Sequence, residues 1–492
     1  MKKLSKNLLL VIGLSLAGAS AAQAQQEGAG SDGIWSLEEA VNYARIHNLQ
    51  VRQAKFNVEA NDAIYTQSRF ARLPSVNSSS SYSINTGTNI DPATYDLRTQ
   101  TTRSSSLNAN ASLPLFMGFQ LVNTVKQNAL ELQASQQDLL SAQNDITIQI
   151  VTAYLNILFA NELINTSTLQ RDLTNQQLDR TRVLFRAGSV AENAVLDLES
   201  QLATDELNLI NAQNQRDISR LTLKQTLNLP AIAEFQIEIP EIPEPDQSPV
   251  LVEPGTVYEV ALQTLPAIKA ADIRVISAAK AIDIARGSYF PRLSVSAGVN
   301  TFYSSRSYLY GDAETTITGY NRQLVGYLDE SRTQPFSLYI PQTQVNMPFL
   351  DYSLPDQFRD NIGRQVAVSL QIPIFNGFQT RTNVARAKIA QNNSKLNADV
   401  ARNNLLQTIE QAYVDAVAAQ RRYVAAKQQI TAAEKNYRNA ELRLNAGVIN
   451  TIEFNTVANT FRSAQSSLIQ AKYEYAFKLK VLDFYQGKDI SF

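Results

Sequence analysis

Two long stretches of this chain contain neither proline nor glycine, one from about Phe119 to Phe185 and the other from about Phe378 to Asn445. Ala, Gln, Asn, Leu and Arg dominate both, and large aromatic residues that would fill a globular core are few. At 1.5 Å per residue, one continuous helix over either stretch would be roughly 100 Å long. Ordinary globular helices are far shorter, so the sequence predicts a coiled-coil-like assembly of long helices.

Each long stretch runs into a glycine, Gly188 or Gly447, and a glycine just past a helix is a common left-handed stop. A second helical pattern follows each glycine, over 191–228 and 450–484. The sequence therefore predicts two long helical hairpins.

One phrase also occurs twice, as LPLFMGFQ (113–120) and as IPIFNGFQ (372–379). The same offset places the Ala-Tyr pair at 153–154 on the pair at 412–413. A repeat this long, present only twice, indicates a duplicated domain rather than a solenoid of many short repeats. The predicted domains are a signal peptide 1–24, a first repeat 25–228, a linker 229–255, a second repeat 256–487 and a C-terminal tail 488–492.

The N-terminus is typical of a secretory signal peptide. Lys2, Lys3 and Lys6 precede an apolar stretch that is too short to span a bilayer, and Ala22-Gln23-Ala24 is a small-x-small cleavage site. No other run of about 18 apolar residues exists, so the sequence argues against a transmembrane helix. The only other structure that spans a bilayer is a closed β-barrel, because every backbone group must be hydrogen-bonded in lipid.

Inside each repeat the hydrophobic period changes from helical to alternating and back. A helix is expected first, with capping boxes at Ser36/Glu39 and at Thr256/Glu259. Alternating apolar and small polar residues then predict two strands per repeat, each long enough to cross a bilayer. The predicted segments are strands near 74–88, 104–116, 291–303 and 364–376, a second-repeat first helix 256–289, and long helices 118–186 and 378–445.

One alternating segment alone would be read as a half-buried sheet of a soluble protein, but four behind a signal peptide favour a membrane barrel. Four strands are too few to close such a barrel, and open edges do not occur in lipid. The chain must therefore oligomerise, with two copies giving eight strands and three giving twelve.

The chain carries no signature of covalent chemistry. It has no cysteine and one histidine, His47, which we interpret as a solvated or packing residue because a general base or metal site needs partners. No catalytic, cofactor-binding or metal site is predicted. The formal net charge of −1 is not concentrated into the basic face that nucleic-acid partners require.

The order of these features resembles the TolC-type outer-membrane efflux proteins of Gram-negative bacteria. The resemblance rests on the duplicated plan, the P-[LI]-F-x-G-F phrase and the Ala-Gly turns, and it covers essentially the mature chain. It implies an α+β membrane protein, a homotrimer with a twelve-stranded barrel in outer-membrane lipid, a periplasmic helical barrel and an equatorial mixed α/β collar. It also implies a non-enzymatic exit duct of a tripartite efflux or type I secretion system, with a periplasmic adaptor protein and an inner-membrane pump of RND, ABC or MFS type as partners.

The resemblance assigns two roles to the hairpin tips. Small residues at the turns dock the adaptor, and carboxylates just beyond them narrow the tunnel to a gate. Glu453 is the main gate candidate, since three-fold symmetry would make it a ring, with Asp197 and Glu192 as lesser candidates; a solvated helix face is the alternative. The matching docking residues are Ala187, Gly188, Ser189, Ala446, Gly447 and Val448.

The repeated phrase is interpreted as a strand-to-helix joint. A proline removes a ladder donor where pairing ends, a phenylalanine suits an aromatic girdle, and a glycine permits the turn. These joint residues are Pro114, Phe116, Gly118, Pro373, Phe375 and Gly377.

The second repeat also carries an insertion in a Tyr-rich stretch over 301–360, predicted to be a long extracellular loop or a passive surface insertion. Two other classes stay open from the residues alone, a pore-free coiled-coil envelope protein and a secreted enzyme.

Overall fold

The computed structural model of the protein describes residues 33–90, 96–230, 235–239, 244, 253–449 and 451–488. The predicted signal peptide, residues 231–234, 240–243 and 245–252 of the predicted linker, and all but one residue of the predicted tail lie outside the described residues.

The described helices are few and two of them are very long, with 67 residues each. They are α1 (Leu37–His47), α2 (Leu49–Phe70), α3 (Gln120–Arg186), α4 (Glu192–Thr226), α5 (Pro254–Thr264), α6 (Pro266–Gly287), α7 (Leu354–Asp360), α8 (Gln379–Asn445) and α9 (Thr451–Tyr485). The strands are β1 (Ile34–Trp35), β2 (Ser75–Ile90), β3 (Leu97–Met117), β4 (Gln236–Ile237), β5 (Arg292–Ser304), β6 (Leu309–Tyr310), β7 (Glu314–Tyr327), β8 (Pro335–Asn346), β9 (Phe349–Leu350) and β10 (Gly363–Gln371).

These elements form two compact units, each built from segments of both sequence repeats. Of the described residues, the helical unit comprises those up to Ala63, those within Ala129–Ala278 and those from Ala390 onward. The strand unit comprises Ile64–Asn128 and Ala279–Ile389. The compact units therefore do not coincide with the two repeats that the sequence predicts.

In the helical unit, the first repeat contributes a core around Tyr154 of α3. Trp35, Ile150 and Leu223 are buried with it. The Tyr154 hydroxyl donates to the carbonyl oxygens of Trp35, at 3.2 Å, and Glu238. Burial, together with the nearby carboxylates of Glu238 and Glu39, raises the pKa of Tyr154 above its ordinary value. The hydroxyl thus stays a donor and joins α3 to the parallel pair β1–β4.

The first helix of the first repeat, which the sequence predicts between the Ser36 capping box and the strand near 74–88, is broken at Asn48, where the backbone is extended. The Asn48 side chain accepts from Gln50 N and donates to Thr226 O, each at 2.8 Å. The single helix predicted over 256–289 is likewise two helices, α5 and α6. Leu265 between them is extended because the residue before a proline, here Pro266, is driven out of the helical region.

One of the two predicted capping boxes is confirmed. The Ser36 side chain accepts from Glu39 N at 3.2 Å, and the Glu39 carboxylate accepts from Ser36 N at 3.1 Å. The predicted box at Thr256 is wrong, because α5 begins at Pro254 with Glu253 as its N-cap and without a side-chain cap. Proline fits the first helical position, where its missing N–H costs no hydrogen bond.

One described helix, α3, contains a stretch that is apolar and long enough to cross a membrane. More than half of that stretch is buried inside the protein, and it includes core residues such as Ile150 and Tyr154. Its hydropathy is that of a core helix.

The strand unit contains a four-stranded antiparallel sheet in the order β10-β5-β3-β2. Its register aligns like residues across all four strands: Val366, Ala297, Ala111 and Val76 form one row. The next row on the opposite face contains Ala367, Ser296, Ser112 and Ser75. Because side chains alternate along a strand, this end of the sheet has one apolar face and one face of mostly small polar residues.

Strand β10 is shorter than predicted and ends at Gln371, which pairs with Arg292, the first residue of β5. Residues 372–376 follow outside any strand, since β5 offers them no backbone to pair with. Strand β3 is longer than predicted and continues through Pro114 to Met117, paired with β5 across a bulge between Pro114 and Phe116. The two copies of the repeated phrase thus differ in structure up to their glycines.

The insertion predicted within 301–360 has its own secondary structure. Strands β7 and β8 form a hairpin, and β6 pairs with β9. Helix α7 lies on the end of β5, where the buried Gln357 side chain accepts from Ser304 N at 2.9 Å and donates to Ser304 O at 3.1 Å. The Gln357 amide thus makes the two backbone hydrogen bonds to Ser304 that a neighbouring strand would otherwise make.

Candidate functional site: hairpin tips and strand-to-helix joints

The first hairpin tip is a Schellman turn at the end of α3. Ser189 N donates to Leu184 O at 2.9 Å, and Gly188 N donates to Phe185 O at 2.8 Å. Gly188 has φ +72°, and a Cβ there would meet nothing within 4 Å. Glycine is therefore required by the left-handed backbone and not by crowding.

The second tip, at the end of α8, repeats this geometry. Val448 N donates to Arg443 O at 2.9 Å, and Gly447 N donates to Leu444 O at 3.0 Å. The six residues at the two turns, Ala187, Gly188, Ser189, Ala446, Gly447 and Val448, are all exposed. Two small, protruding turns of the same shape are available for contact with another molecule.

The three carboxylates predicted at the gate lie on both hairpins. Glu453, in the first turn of α9, faces Arg443 across the second tip at 3.6 Å, with both side chains about half exposed. Glu192 is the first residue of α4, where the positive end of the helix dipole stabilises a carboxylate. Asp197 is exposed and lies further along the same helix. No salt bridge joins Glu192 or Asp197 to another residue of the described ranges.

Sequence reasoning missed Arg443, and a signal for it was present. Arg443 lies four residues before Gly447 and Glu453 six residues after it, positions that a helical hairpin brings close together. The first hairpin uses different positions, with Arg182 paired to Glu199 at 2.7 Å. The repeat offset therefore does not map the ion pair of one tip onto the ion pair of the other.

The helices behind the tips also differ in their packing. Tyr437 of α8 stacks on Phe461 of α9 with ring centroids 5.2 Å apart and contacts Phe454 at 5.6 Å. At the matching positions the first hairpin has Leu178, Val195 and Leu202. Aromatic rings thus pack behind the second tip, where the first hairpin has aliphatic residues at the matching positions.

At both strand-to-helix joints the turn is made by two consecutive left-handed residues. Gly118 and Phe119 have φ +59° and +63°, and Gly377 and Phe378 have φ +60° and +63°. A left-handed conformation is unusual for phenylalanine, so its recurrence at both joints marks a backbone shape that belongs to the repeated phrase.

The predicted joint aromatics contact other rings. Phe116 packs edge-on against Phe119 at 5.1 Å, and Phe375 packs edge-on against Phe378 at 5.9 Å. Pro114 lies next to the bulge in β3, whereas Pro373 lies outside any strand.

Comparison with known proteins agrees with this architecture. The family model for outer membrane efflux proteins matches residues 40–229 and 342–488. Toxin and drug export protein A of Aggregatibacter actinomycetemcomitans is 25% identical over 89% of this chain and 83% of its own length. Outer membrane protein TolC of Escherichia coli is 23% identical over 96% of this chain and 84% of its own length.

Solved structures show the same fold. The outer membrane protein VceC of Vibrio cholerae has a TM-score of 0.67 at 14% identity, covering 92% of this chain and 97% of that chain. The open MtrE outer membrane channel of Neisseria gonorrhoeae has a TM-score of 0.63 at 17% identity, covering 92% and 88%. The resemblance and the localisation that the sequence predicts are confirmed: the chain belongs to the outer membrane efflux protein family.

Proposed function

We propose that this chain is the exit duct of a tripartite efflux or type I secretion system, conducting substrates passively from an inner-membrane pump and periplasmic adaptor to the exterior. The observation that carries the proposal is the four-stranded sheet with one apolar and one polar face. A sheet patterned in this way suits lipid on one side and water on the other.

The sheet requires further copies of the chain in order to function in lipid. Its outer strands β10 and β2 each have one neighbour in the sheet, and an open edge is not tolerated in hydrocarbon. Three copies supply twelve strands, so the proposed assembly is a homotrimer with a twelve-stranded barrel in outer-membrane lipid. The long helices form the periplasmic barrel, and the mixed elements around Tyr154 and β1–β4 form the equatorial collar.

The tips dock the adaptor in this proposal. Ala187–Ser189 and Ala446–Val448 present the same Schellman geometry, with no bulky side chain over either glycine. Val448 is 66% exposed, which gives an apolar contact point for a partner hairpin.

The gate in this proposal is a ring of Glu453 carboxylates, one from each copy, with Asp197 and Glu192 as further carboxylates on the other hairpin. Arg443 holds Glu453 in place at the tip, so that three carboxylates and three guanidinium groups alternate around the axis. Exposed ion pairs contribute little stability each, so such a ring can open without a large energetic barrier.

Two measurements test the duct itself. Purified protein should run as a trimer by mass photometry in detergent and should give discrete single-channel steps in planar bilayers. A trimer that never conducts would instead favour a structural envelope protein. Cysteine at Ser189 or Val448 should cross-link in cells to a periplasmic adaptor, while cysteine at Ser394, far from the tips along α8, serves as the control.

The gate is tested by Glu453→Gln, with Glu434→Gln as a matched change at an exposed pair on α8. We expect block of the current by divalent cations to weaken in the Glu453 variant alone. Unchanged block in that variant would remove Glu453 from the gate.

A further inference from the structure

The four strands of the sheet share an unusual charge composition. Over their residues 75–90, 97–117, 292–304 and 363–371 there is no Asp, Glu or Lys. The charged residues in them are all arginines: Arg98, Arg103, Arg292 and Arg364. In a chain with 45 acidic and 44 basic residues overall, this sheet is a locally cationic surface.

By the strand register, Arg292 and position 98 lie on the polar face, and Arg292 is the one at the start of β5. Arg292 alternates with Leu293 and precedes Ser294 and Ser296, which are in the polar rows, whereas Arg364 is in register with Val299 on the apolar face. Arg292 is half-buried, and it makes no salt bridge with another described residue. A guanidinium group offers five donors in a planar fork that matches carboxylates and sulfonates.

Arg292 lines a cavity of about 720 Å³ within the strand unit. Arg292 is the one charged side chain in its wall, which also contains the hydroxyls of Ser75, Ser112, Ser294 and Ser369 and the amides of Gln67 and Gln371. Phe70, Leu73, Pro74, Pro114 and Met117 supply an apolar part. The volume falls in the range of small-molecule sites, and one cation beside an apolar wall is complementary to an amphiphilic anion.

We infer that this cavity binds amphiphilic organic anions, with Arg292 pairing with their anionic group and with Phe70, Leu73 and Pro74 contacting their apolar part. The inference rests on the proposed function for its meaning, since bound anions would be cargo held briefly on the polar face of the duct. It makes Arg292 a specificity-determining residue, with acidic amphiphiles favoured over cationic ones.

The test uses the full protein in phosphatidylcholine nanodiscs, titrated calorimetrically with naphthalene-2-sulfonate and with the cationic naphthylmethylammonium ion. We expect the sulfonate to bind and the cation not to. Arg292→Gln should weaken sulfonate binding about tenfold or more, because a hydrogen bond to a charged group contributes that much, and Arg292→Lys should recover part of it. Arg364→Gln, which removes the same charge from the apolar face, should change nothing.

Equal affinity of the wild type and Arg292→Gln for the sulfonate, binding of the cation as tightly as the anion, or no sulfonate binding at all would each overturn the inference. Single-channel recording tests the proposed duct function independently of the sulfonate titration. Conducting channels without a sulfonate site would leave the duct intact and remove the site. Absence of conductance would contradict the duct, while the titration would still decide whether the cavity binds anions.

Discussion

The two strand-to-helix joints have nearly the same sequence and the same backbone but different surroundings. A Cβ on Gly118 would lie 2.1 Å from Gly287 O, whereas a Cβ on Gly377 would meet nothing within 4 Å among the described residues. Gln120 donates to Ile284 O at 3.1 Å and to Ser288 Oγ at 2.8 Å, fastening the first joint to the end of α6. The duplicated phrase therefore specifies the turn, and the rest of the chain determines what the turn packs against.

The largest expected difference between the joints is in Gly118→Ala compared with Gly377→Ala. Both changes place alanine in the left-handed region, which costs about 1–2 kcal/mol. Gly118→Ala also drives a methyl group into a backbone carbonyl, and overpacking adds about 1–3 kcal/mol. The midpoint of thermal unfolding, followed by circular dichroism of the purified protein, should fall clearly further for Gly118→Ala.

Gly87→Ala is the control for these variants, since Gly87 lies in β2 with open space around it and should tolerate a methyl group. Equal decreases in the unfolding midpoint for Gly118→Ala and Gly377→Ala would contradict the difference in crowding that a single chain shows at the two joints. That result would mean that another copy packs closely on Gly377 in the assembly.

A second comparison concerns Tyr154 and Tyr413, which the repeat offset aligns. Tyr154→Phe removes the donor to Glu238 O and leaves Trp35 O with its bond from Glu238 N alone, and loss of a hydrogen bond of this kind costs about 0.5–1.5 kcal/mol. Tyr413 is partly buried against Ala416 and Leu482, with no hydrogen bond from its hydroxyl to another described residue. Tyr413→Phe should leave the unfolding midpoint nearly unchanged, and a loss comparable with that of Tyr154→Phe would contradict this assignment.

The first helices of the two repeats provide a third comparison. Ser36→Ala removes a side-chain cap, and losses of this kind are about 1 kcal/mol. Thr256→Ala, inside the first turn of α5, should have almost no effect, because Glu253 and Pro254 begin that helix. Chemical denaturation of the two variants in parallel is the measurement, and similar losses would show that Thr256 also acts as a cap in solution.

The smallest expected effect comes from removing an ion pair of the second hairpin that the first hairpin lacks at the aligned positions. Lys478 Nζ donates to Asp415 Oδ2 at 2.8 Å, while the first hairpin has Ser219 and Asn156 at the aligned positions. The Lys478 hydrogen bond holds the pKa of Asp415 below its ordinary value of 3.8. Because the Asp415 side chain is 34% exposed and the pair is partly screened by water, Asp415→Asn should cost about 1 kcal/mol or less at pH 7.

The pH dependence of that loss follows from the direction of the pKa shift. A carboxyl with a lowered native pKa stabilises the fold above its ordinary pKa and loses this contribution as pH falls through the native value. The difference between wild type and Asp415→Asn should therefore shrink below about pH 4, while Asn156→Ala should show no such trend. A difference that grows on acidification would contradict the assignment.

Much of the fold could be predicted from the sequence because it depends on local signals. The absence of proline and glycine over two long stretches predicted α3 and α8, which have 67 residues each. The alternation of apolar and polar residues predicted four strands, and their register in the sheet aligns the apolar residues. The breaks at Asn48 and Leu265 were missed for different reasons. Pro266 was a visible local signal that was overlooked, whereas Asn48 ends its helix through a bond to Thr226, 178 residues away.

The candidate site could be predicted less well because its contacts cross between elements. The Ala-Gly turns follow from one glycine each, and the structure has them as expected stops. The pairing of Glu453 with Arg443 and the enclosure of Arg292 among serine and glutamine side chains depend on which helices and strands become neighbours. The end of β10 at Gln371 was equally invisible, since it is set by where β5 begins.

The chain passes from one compact unit to the other four times, at about residues 63, 128, 278 and 389. This interleaving has a consequence for folding kinetics. A nascent chain that has delivered only the first repeat possesses β2 and β3 but not β5, and it has Ile150 but not its counterpart Ile409. Until the second repeat arrives, the long β3 presents an open hydrogen-bonding edge, which is a template for aggregation. Completion of both units therefore depends on contacts between residues that are far apart in the sequence. Aggregation of the first repeat must be prevented until the second repeat has been synthesised.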